Sequence, residues 1–483
     1  MYIGIDLGTS GVKSVLVDDE QRVIGSASAA LEVSRPHDGW SEQDPRGWTD
    51  GIEKTFSALA SAHAREMGAV RGIGLSGQQH GATLLDAADE PLRPCLLWND
   101  TRAQTQAARL DTERVRALCG SIVFPGFTAP KTLWVAEHEP ELYARVAKVL
   151  LPKDYARLWL TGEHASDMSD ASGTGWLDVA RREWSDELLE TSGIPREWMP
   201  RVIEGSAVSG TLRPEFARRH GLPEGVVVAG GGGDNAASAC GMGTVAPGSA
   251  FVSLGTSGVL FASNASYLPN AESAVHAFCH ALPDTWHQMG VILAATDTLN
   301  WLAKLVDETP ATLTAPLEGT EPEPSETIFL PYLGGERTPI NDASARAAFA
   351  GLGHASDRTA LARAVLQGVA FAFRDSRDAL AVAGTSLERA AAIGGGSQSG
   401  YWLQLIADVL GLPLDVSAGG EVGASLGAAR LGLIAAEGAD PVAVCTPPPI
   451  ERTVEPNARH ADAWEALHGR YRATYRALAD ARG

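Results

Sequence analysis

An α/β fold built as two related halves across a cleft is what this sequence predicts, and three observations carry the prediction. The hexapeptide LGTSGV occurs at 7–12 and again, unchanged, at 254–259. Each copy lies between two short apolar runs, so each reads as a strand–turn–strand hairpin. Between and after the copies, strand-like runs alternate with helical patterns, the grammar of helices packed on a largely parallel sheet. At 483 residues the chain also exceeds one ordinary hydrophobic core and leaves room for two or three domains. The second copy places the boundary near residue 244, giving units at 1–243 and 244–483.

The first strand is expected over 2–8 and its partner over 12–17, closed by the acidic turn Asp18-Asp19-Glu20. A helix starts at Asp44-Pro45, because Asp accepts from free first-turn amides and Pro, which has no N–H to lose, suits the first helical position. Strands follow over 70–75 and 226–229. In the second half, 250–254 and 259–262 flank the repeated turn, and a helix is expected over 293–306. The acidic, Pro-rich EGTEPEPSET reads as a loop, IFLPYL as an apolar strand, and 359–382 and 401–410 as helices. The last clear element is GASLGAARLGLIAAEG, whose small side chains let a helix approach its neighbours closely.

Composition narrows the function. Lys plus Arg number 39 against 59 Asp plus Glu, a formal charge of -20, and no basic cluster stands out. That argues against nucleic-acid and anionic-membrane partners, which need a basic footprint. Fifty-two glycines point to loops whose backbone does the binding. Five scattered cysteines without a CxxC pair fit a reducing compartment. No apolar run approaches the roughly 20 residues of a membrane span, and the chain enters a strand at once, so a cytoplasmic protein is expected.

The turn GTSG offers successive backbone N–H groups and two hydroxyls, and Gly8 and Gly255 let the chain come close to phosphate oxygens. Two such cradles could hold a nucleotide's phosphates from opposite walls, although glycine is also the ordinary residue of a hairpin turn. Asp6 precedes only the first cradle, where a carboxylate beside phosphate calls for an intervening cation such as Mg²⁺. Lys13 either offsets charge on the transferring group or is a solvated strand residue. In VVVAGGGGDNAASACGMG a buried strand ends in four glycines, and Asp234 stands at the helix start. It reads either as an N-cap or as a general base taking a proton from an attacking hydroxyl. AAIGGGSQSGYW repeats the strand–glycine–helix plan and puts the flat backbone of Gly395 and Gly396 where a nucleoside could rest. Other motifs fail: GIGLSG is a cheap match to a dinucleotide fingerprint, no Walker P-loop or GxSxG elbow exists, and His276, Cys279 and His280 lack zinc-site spacing.

The ordered motifs MYIGIDLGTSGVK, GWSEQDP, GLSGQQHGATLLD, LLWND, GFTAPKTLW, LLPKDY, SDMSDASGT, GGGGDNAA, SLGTSGV, SAVHAFCHALP, FLPYLGGERTP and IGGGSQS closely resemble the FGGY carbohydrate kinase family, and within it the bacterial members acting on D-xylulose. The resemblance extends to about Ala429. It implies two actin-like, ribonuclease H-like ATPase domains with ATP and sugar meeting in the central cleft. It further implies that Asp234 is the catalytic base and that Asp6 works with Mg²⁺. Gly8, Thr9, Ser10, Lys13, Gly255 and Thr256 would hold ATP phosphates, and Gly395 and Gly396 the adenosine. Gln79, His80, Asp234 and Asn235 would bind the sugar. The implied reaction is D-xylulose plus ATP giving D-xylulose 5-phosphate plus ADP, and a homodimer is compatible with it. Rival readings are a kinase of ribulose, glycerol or another polyol, an actin- or chaperone-like ATP-driven binding protein, and a non-catalytic sugar sensor.

Overall fold

The computed structural model describes residues 1–417 and 423–482. Two seven-stranded sheets organise it. The first contains β1 (Tyr2–Leu7), β2 (Gly11–Val17), β3 (Val23–Ala30), β4 (Gly72–Gly77), β5 (Val208–Thr211) and β6 (Val227–Ala229), in the order β5-β6-β4-β1-β2-β3, with the short pair Gly232–Gly233 added beside β4. The second contains β7 (Ala250–Leu254), β8 (Gly258–Asn264), β9 (His276–Cys279), β10 (Trp286–Ile292), β11 (Ala390–Ile393), β12 (Leu414–Ser417) and β13 (Ile450–Val454), in the order β9-β10-β8-β7-β11-β12-β13.

The two orders correspond strand for strand. In the first sheet β1, β2 and β3 form an antiparallel meander, β4 and β6 run parallel to β1, and β5 returns antiparallel at the edge. In the second, β7, β8 and β10 form the meander, β11 and β12 the parallel pair, and β13 the antiparallel edge. The repeated hexapeptide therefore marks a repeated topology, with β9 as an addition to the second copy. Each sheet has an apolar core, one around Ile3, Ile5 and Leu75 and the other around Val252, Leu254 and Phe373.

Helix α1 (Pro45–Ala62) begins as its sequence dictates, with the Asp44 side chain accepting from the Arg46 N–H and Pro45 in first place. Helix α2 (Thr128–His138) belongs to a region with a core of its own, around Leu84, Val135 and Trp176. Helices α3 (Asp234–Met242) and α4 (Gly423–Glu437) follow corresponding sheet positions and pack against each other almost backbone to backbone. A Cβ on Gly241 would stand 1.9 Å from the Gly423 carbonyl oxygen, and one on Gly427 would stand 1.7 Å from that of Ala237. Helix α4 also lies on the first sheet, where a Cβ on Gly74 would meet the Ala428 oxygen at 1.9 Å. In the other direction, Ala239 of α3 packs with Phe251 and Phe261 of the second sheet.

The structure moves one helix boundary and decides between readings that the sequence left open. Asp234 does not cap α3: Gly233 holds that position, and the Asp234 carboxylate accepts from the backbone and side-chain amides of Asn235, at 2.7 and 2.9 Å. The helix expected over 293–306 starts at Thr296, because Ala295 and Thr296 donate their N–H groups to the second turn instead. GIGLSG is β4, fully buried at the sheet centre, which removes a dinucleotide loop. The cysteines are free and buried. Among the described residues, no helix is long and apolar enough to cross a membrane.

Candidate active site

The carboxyl ends of β1, β4 and β6 bring the first group of candidate residues together. Asp6 ends in register with Ser76 on one side and Lys13 on the other, and Ser76 Oγ donates to its carboxylate at 2.9 Å. Gly232 and Gly233 continue beside Ser76 and Gly77, so the chain delivers Asp234 within reach of the Asp6 charge. Burial raises the Asp234 carboxyl to about 6, with the Asp6 charge adding to the effect. Burial also raises Asp6, opposed by the Ser76 hydrogen bond and the Lys13 charge. Two carboxylates that disfavour each other's ionisation thus stand beside a turn of backbone amides. This donor set fits a hard divalent cation, which takes one or two carboxylates and completes its shell with water and phosphate oxygens.

The first turn is held from outside. Gly8 N–H closes it on Gly11 O at 3.0 Å. Thr9 Oγ1 donates to Gln78 Oε1 and accepts from Trp98 Nε1, both at 3.0 Å, while Gln43 Nε2 donates to Thr9 O at 2.6 Å. The Thr9 hydroxyl is therefore a structural tie, and Ser10 is the exposed residue of the turn. The Trp98 indole stays 42% exposed beside the turn.

Gln79 and His80 follow β4. Gln79 Nε2 donates to Ser169 O at 3.0 Å and lies under the peptide before the Asp234 helix, where a Cβ on Gly233 would meet it at 2.7 Å. His80 stacks on Phe127 with ring centroids 4.6 Å apart, and its Nδ1 lies 2.6 Å from Gly173 O. A carbonyl only accepts, so Nδ1 carries the hydrogen and Nε2 is left as an acceptor. Burial pushes His80 down to about 3, which keeps the ring neutral. Asn235 sits against Asp234, as above.

The second group lies at the matching edge of the other sheet. Thr296 donates its N–H and hydroxyl to Gly255 O, at 3.0 and 2.8 Å, and Ala295 N–H donates to Thr256 O at 2.8 Å. Gly394, with φ of 88°, brings the loop of Gly395 and Gly396 onto the same turn: a Cβ on Gly394 would stand 2.7 Å from Leu254 O, and one on Gly396 would meet Thr296 Cγ2 at 3.1 Å. Among the described residues, nothing lies within 4 Å of a Cβ on Gly395.

Strand β9 joins the two halves on the flank that carries His80. His276 Nδ1 lies 2.8 Å from Ser121 Oγ, Cys279 N–H donates to Ser172 Oγ at 3.1 Å, and Phe278 flanks His80 and Phe127. His276, Cys279 and His280 thus serve packing and hydrogen bonding. The described residues do contain one group of buried acids with metal-like spacing, Asp154, Asp167 and Asp170, but the Lys153 ammonium fills it at 2.6 to 3.3 Å. Ser169 extends this network: its Oγ donates to Asp167 at 2.5 Å and accepts the Gly233 N–H at 3.0 Å. Ser76, Trp98 and Ser169 are not singled out by residue type. GLSGQQH, LLWND and SDMSDASGT, which carry them, are the signals that point there.

Two sheets of matching topology, each with a glycine turn between its first two strands, define a two-domain, actin-like ATPase fold. Models of the FGGY family of carbohydrate kinases match this chain over residues 1–241 for the N-terminal domain and 250–436 for the C-terminal domain. The chain is 47% identical to a xylulose kinase of Escherichia coli over 483 residues, covering 99% of each, and 48% identical over 464 residues to one of Klebsiella pneumoniae, covering 95% of each. A crystal structure described as a xyloylose kinase from Brucella ovis superposes with a TM-score of 0.98 at 58% identity, covering 99% of both chains. The chain belongs to the FGGY family of carbohydrate kinases, enzymes that phosphorylate a sugar.

Proposed function

We propose that this enzyme transfers the γ-phosphoryl group of ATP to D-xylulose, giving D-xylulose 5-phosphate and ADP. The carrying observation is the convergence of Asp234, Asp6 and the Gln79-His80 loop at the ends of adjacent strands. Full-length likeness to xylulose kinases supplies the sugar.

In this reading the sugar lies against Gln79, His80 and Asn235. His80 Nε2, acceptor only, takes a sugar hydroxyl rather than the ketone oxygen. Asp234 accepts the proton of the attacking hydroxyl as its oxygen bonds to phosphorus, and the bond to the β-phosphate oxygen breaks to release ADP. A carboxyl at about 6 is ionised at neutral pH yet basic enough to share that proton. The Ser10 amide and hydroxyl, in the turn that Gly8 closes, and the backbone amides of Gly255 and Thr256 steady the phosphates, with Lys13 offsetting charge and Gly395 and Gly396 receiving the adenosine. Asp6 would hold Mg²⁺, which supplies charge neutralisation at the phosphates. Because the transition state is loose and charge-spread, positioning and electrostatics are the protein's main contributions. We divide the chain into 1–243 and 244–483, with α4 returning to the first sheet.

A coupled ADP-release assay across ketopentoses, polyols and glycerol tests the proposal. D-xylulose should give the highest kcat/KM by at least about tenfold. Equal or better turnover of ribulose or glycerol would reassign the substrate, and sugar-independent ATP hydrolysis would favour an ATP-driven binding protein.

A further inference from the structure

His80 is the residue of the candidate sugar site with the least ordinary backbone. Its φ of 68° lies in the left-handed region, which a side chain other than glycine occupies at a cost that its surroundings must offset. The enforcing groups are on α2. Thr128 Oγ1 donates to His80 O at 3.0 Å, and Lys131 Nζ donates to the same oxygen at 2.8 Å. Lys131 has 0% exposure and directs its other two hydrogens to Leu96 O and Leu97 O, both at 2.8 Å. Asp100, whose charge reaches it, is already paired with Arg102 at 2.7 Å.

A wholly buried ammonium whose three donors all end on main-chain carbonyls is an expensive way to fill a core, since burying a charge disfavours it strongly. Here burial pushes Lys131 down to about 7, while the three carbonyl contacts favour the charged form. What the side chain achieves is geometric. It ties the loop carrying His80 to the segment 96–97, and the next residue, Trp98, reaches Thr9 in the first phosphate turn. With the His80 carbonyl fixed inward and Nδ1 fixed on Gly173, the direction of Nε2 is determined.

We propose that Lys131 is a positioning residue for sugar binding, acting through the main chain of His80. The proposal rests on the reading of His80 as a sugar ligand. It predicts an effect on one substrate only, and one that disappears when the His80 ring is absent.

The test is a double-mutant cycle on the full-length enzyme, with KM measured separately for D-xylulose and ATP. Lys131→Met should raise the sugar KM about tenfold while the ATP KM changes less than about twofold. In a His80→Ala background, Lys131→Met should add nothing further to the sugar KM, the non-additivity of residues that act as a unit. Thr128→Val, which removes the other bond to the same carbonyl, should show the same pattern at about threefold, and it carries the test if Lys131→Met does not fold. Equal rises in both KM values, or full additivity with His80→Ala, would show a general structural role and overturn the proposal. If His80→Ala itself leaves the sugar KM unchanged, the reading of His80 fails first. If it raises KM while Lys131→Met and Thr128→Val do not, only the positioning role fails.

Discussion

The two hairpins share a sequence and a topology but differ in what stands beside them. In the first sheet Asp6 is flanked in register by Lys13 and Ser76; at the matching place in the second, Ser253 is flanked by Val259 and Ile393. One row is charged and the other is neutral. The next positions diverge in the same way: β4 runs into Gly77-Gln78-Gln79-His80, with side chains able to read hydroxyls, and β11 into Gly394-Gly395-Gly396, with little but backbone. A duplicated scaffold thus offers two equivalent strand edges, one bearing ionisable groups and the other keeping side chains out of the way. The lesson is that the repeated turn supplies a place and the flanking register supplies the chemistry.

That contrast can be broken at its acidic end first. Asp234→Asn should lower kcat by about 10³-fold or more with the ATP Kd within about twofold, as expected when a proton acceptor is lost and binding is not. Stopped-turnover assays and nucleotide titration measure the two quantities, and near-parental kcat would remove Asp234 from the reaction. Asp6→Asn should cost about 10²-fold in kcat and move the acid limb of the kcat/KM pH profile below pH 6, because the Asp6 charge is one cause of the raised Asp234 carboxyl. A limb that stays put would mean the two carboxylates do not sense each other.

The neutral end gives a smaller effect. Ser253→Asp places a carboxylate next to the second turn without a Lys or Ser neighbour, and should raise the ATP KM about tenfold while sparing the sugar KM. An unchanged ATP KM would imply that the second turn does not meet phosphate. The smallest effect is on stability. The Asp234 carboxyl stands at about 6 in the folded protein against 3.8 in its ordinary state, so its stabilising contribution is complete below 3.8 and is lost as pH rises through 6. Asp234→Asn should therefore gain up to about 3 kcal/mol at pH 8 relative to the parent, with the gain fading toward pH 4. Denaturant unfolding at both pH values checks the sign.

Much of this molecule is legible in its sequence because the signals are local. A Gly-rich turn between apolar runs and an Asp-Pro helix start are fixed by neighbours along the chain, and both occur where expected. The cap reading weighed for Asp234 shows where local reading ends: residue type and position suit a cap, but the carboxylate engages Asn235, and Gly233 is the capping residue of a helix that starts at Asp234. The roles of Ser169 and Lys131 are less visible still, since each depends on carbonyls or amides from segments far away in sequence. The return of α4 to the first sheet is written only as scattered glycines, Gly4, Gly72 and Gly74 facing Ser425, Gly432 and Ala428, and no single one announces its partner.

That exchange of helices means the chain cannot be halved at its duplication. A fragment ending at 243 would bare the flat glycine face of its sheet, and the remainder would carry α4 with nothing to lie on. Co-produced, the pieces should seek each other out and reassemble; produced singly, each should clump.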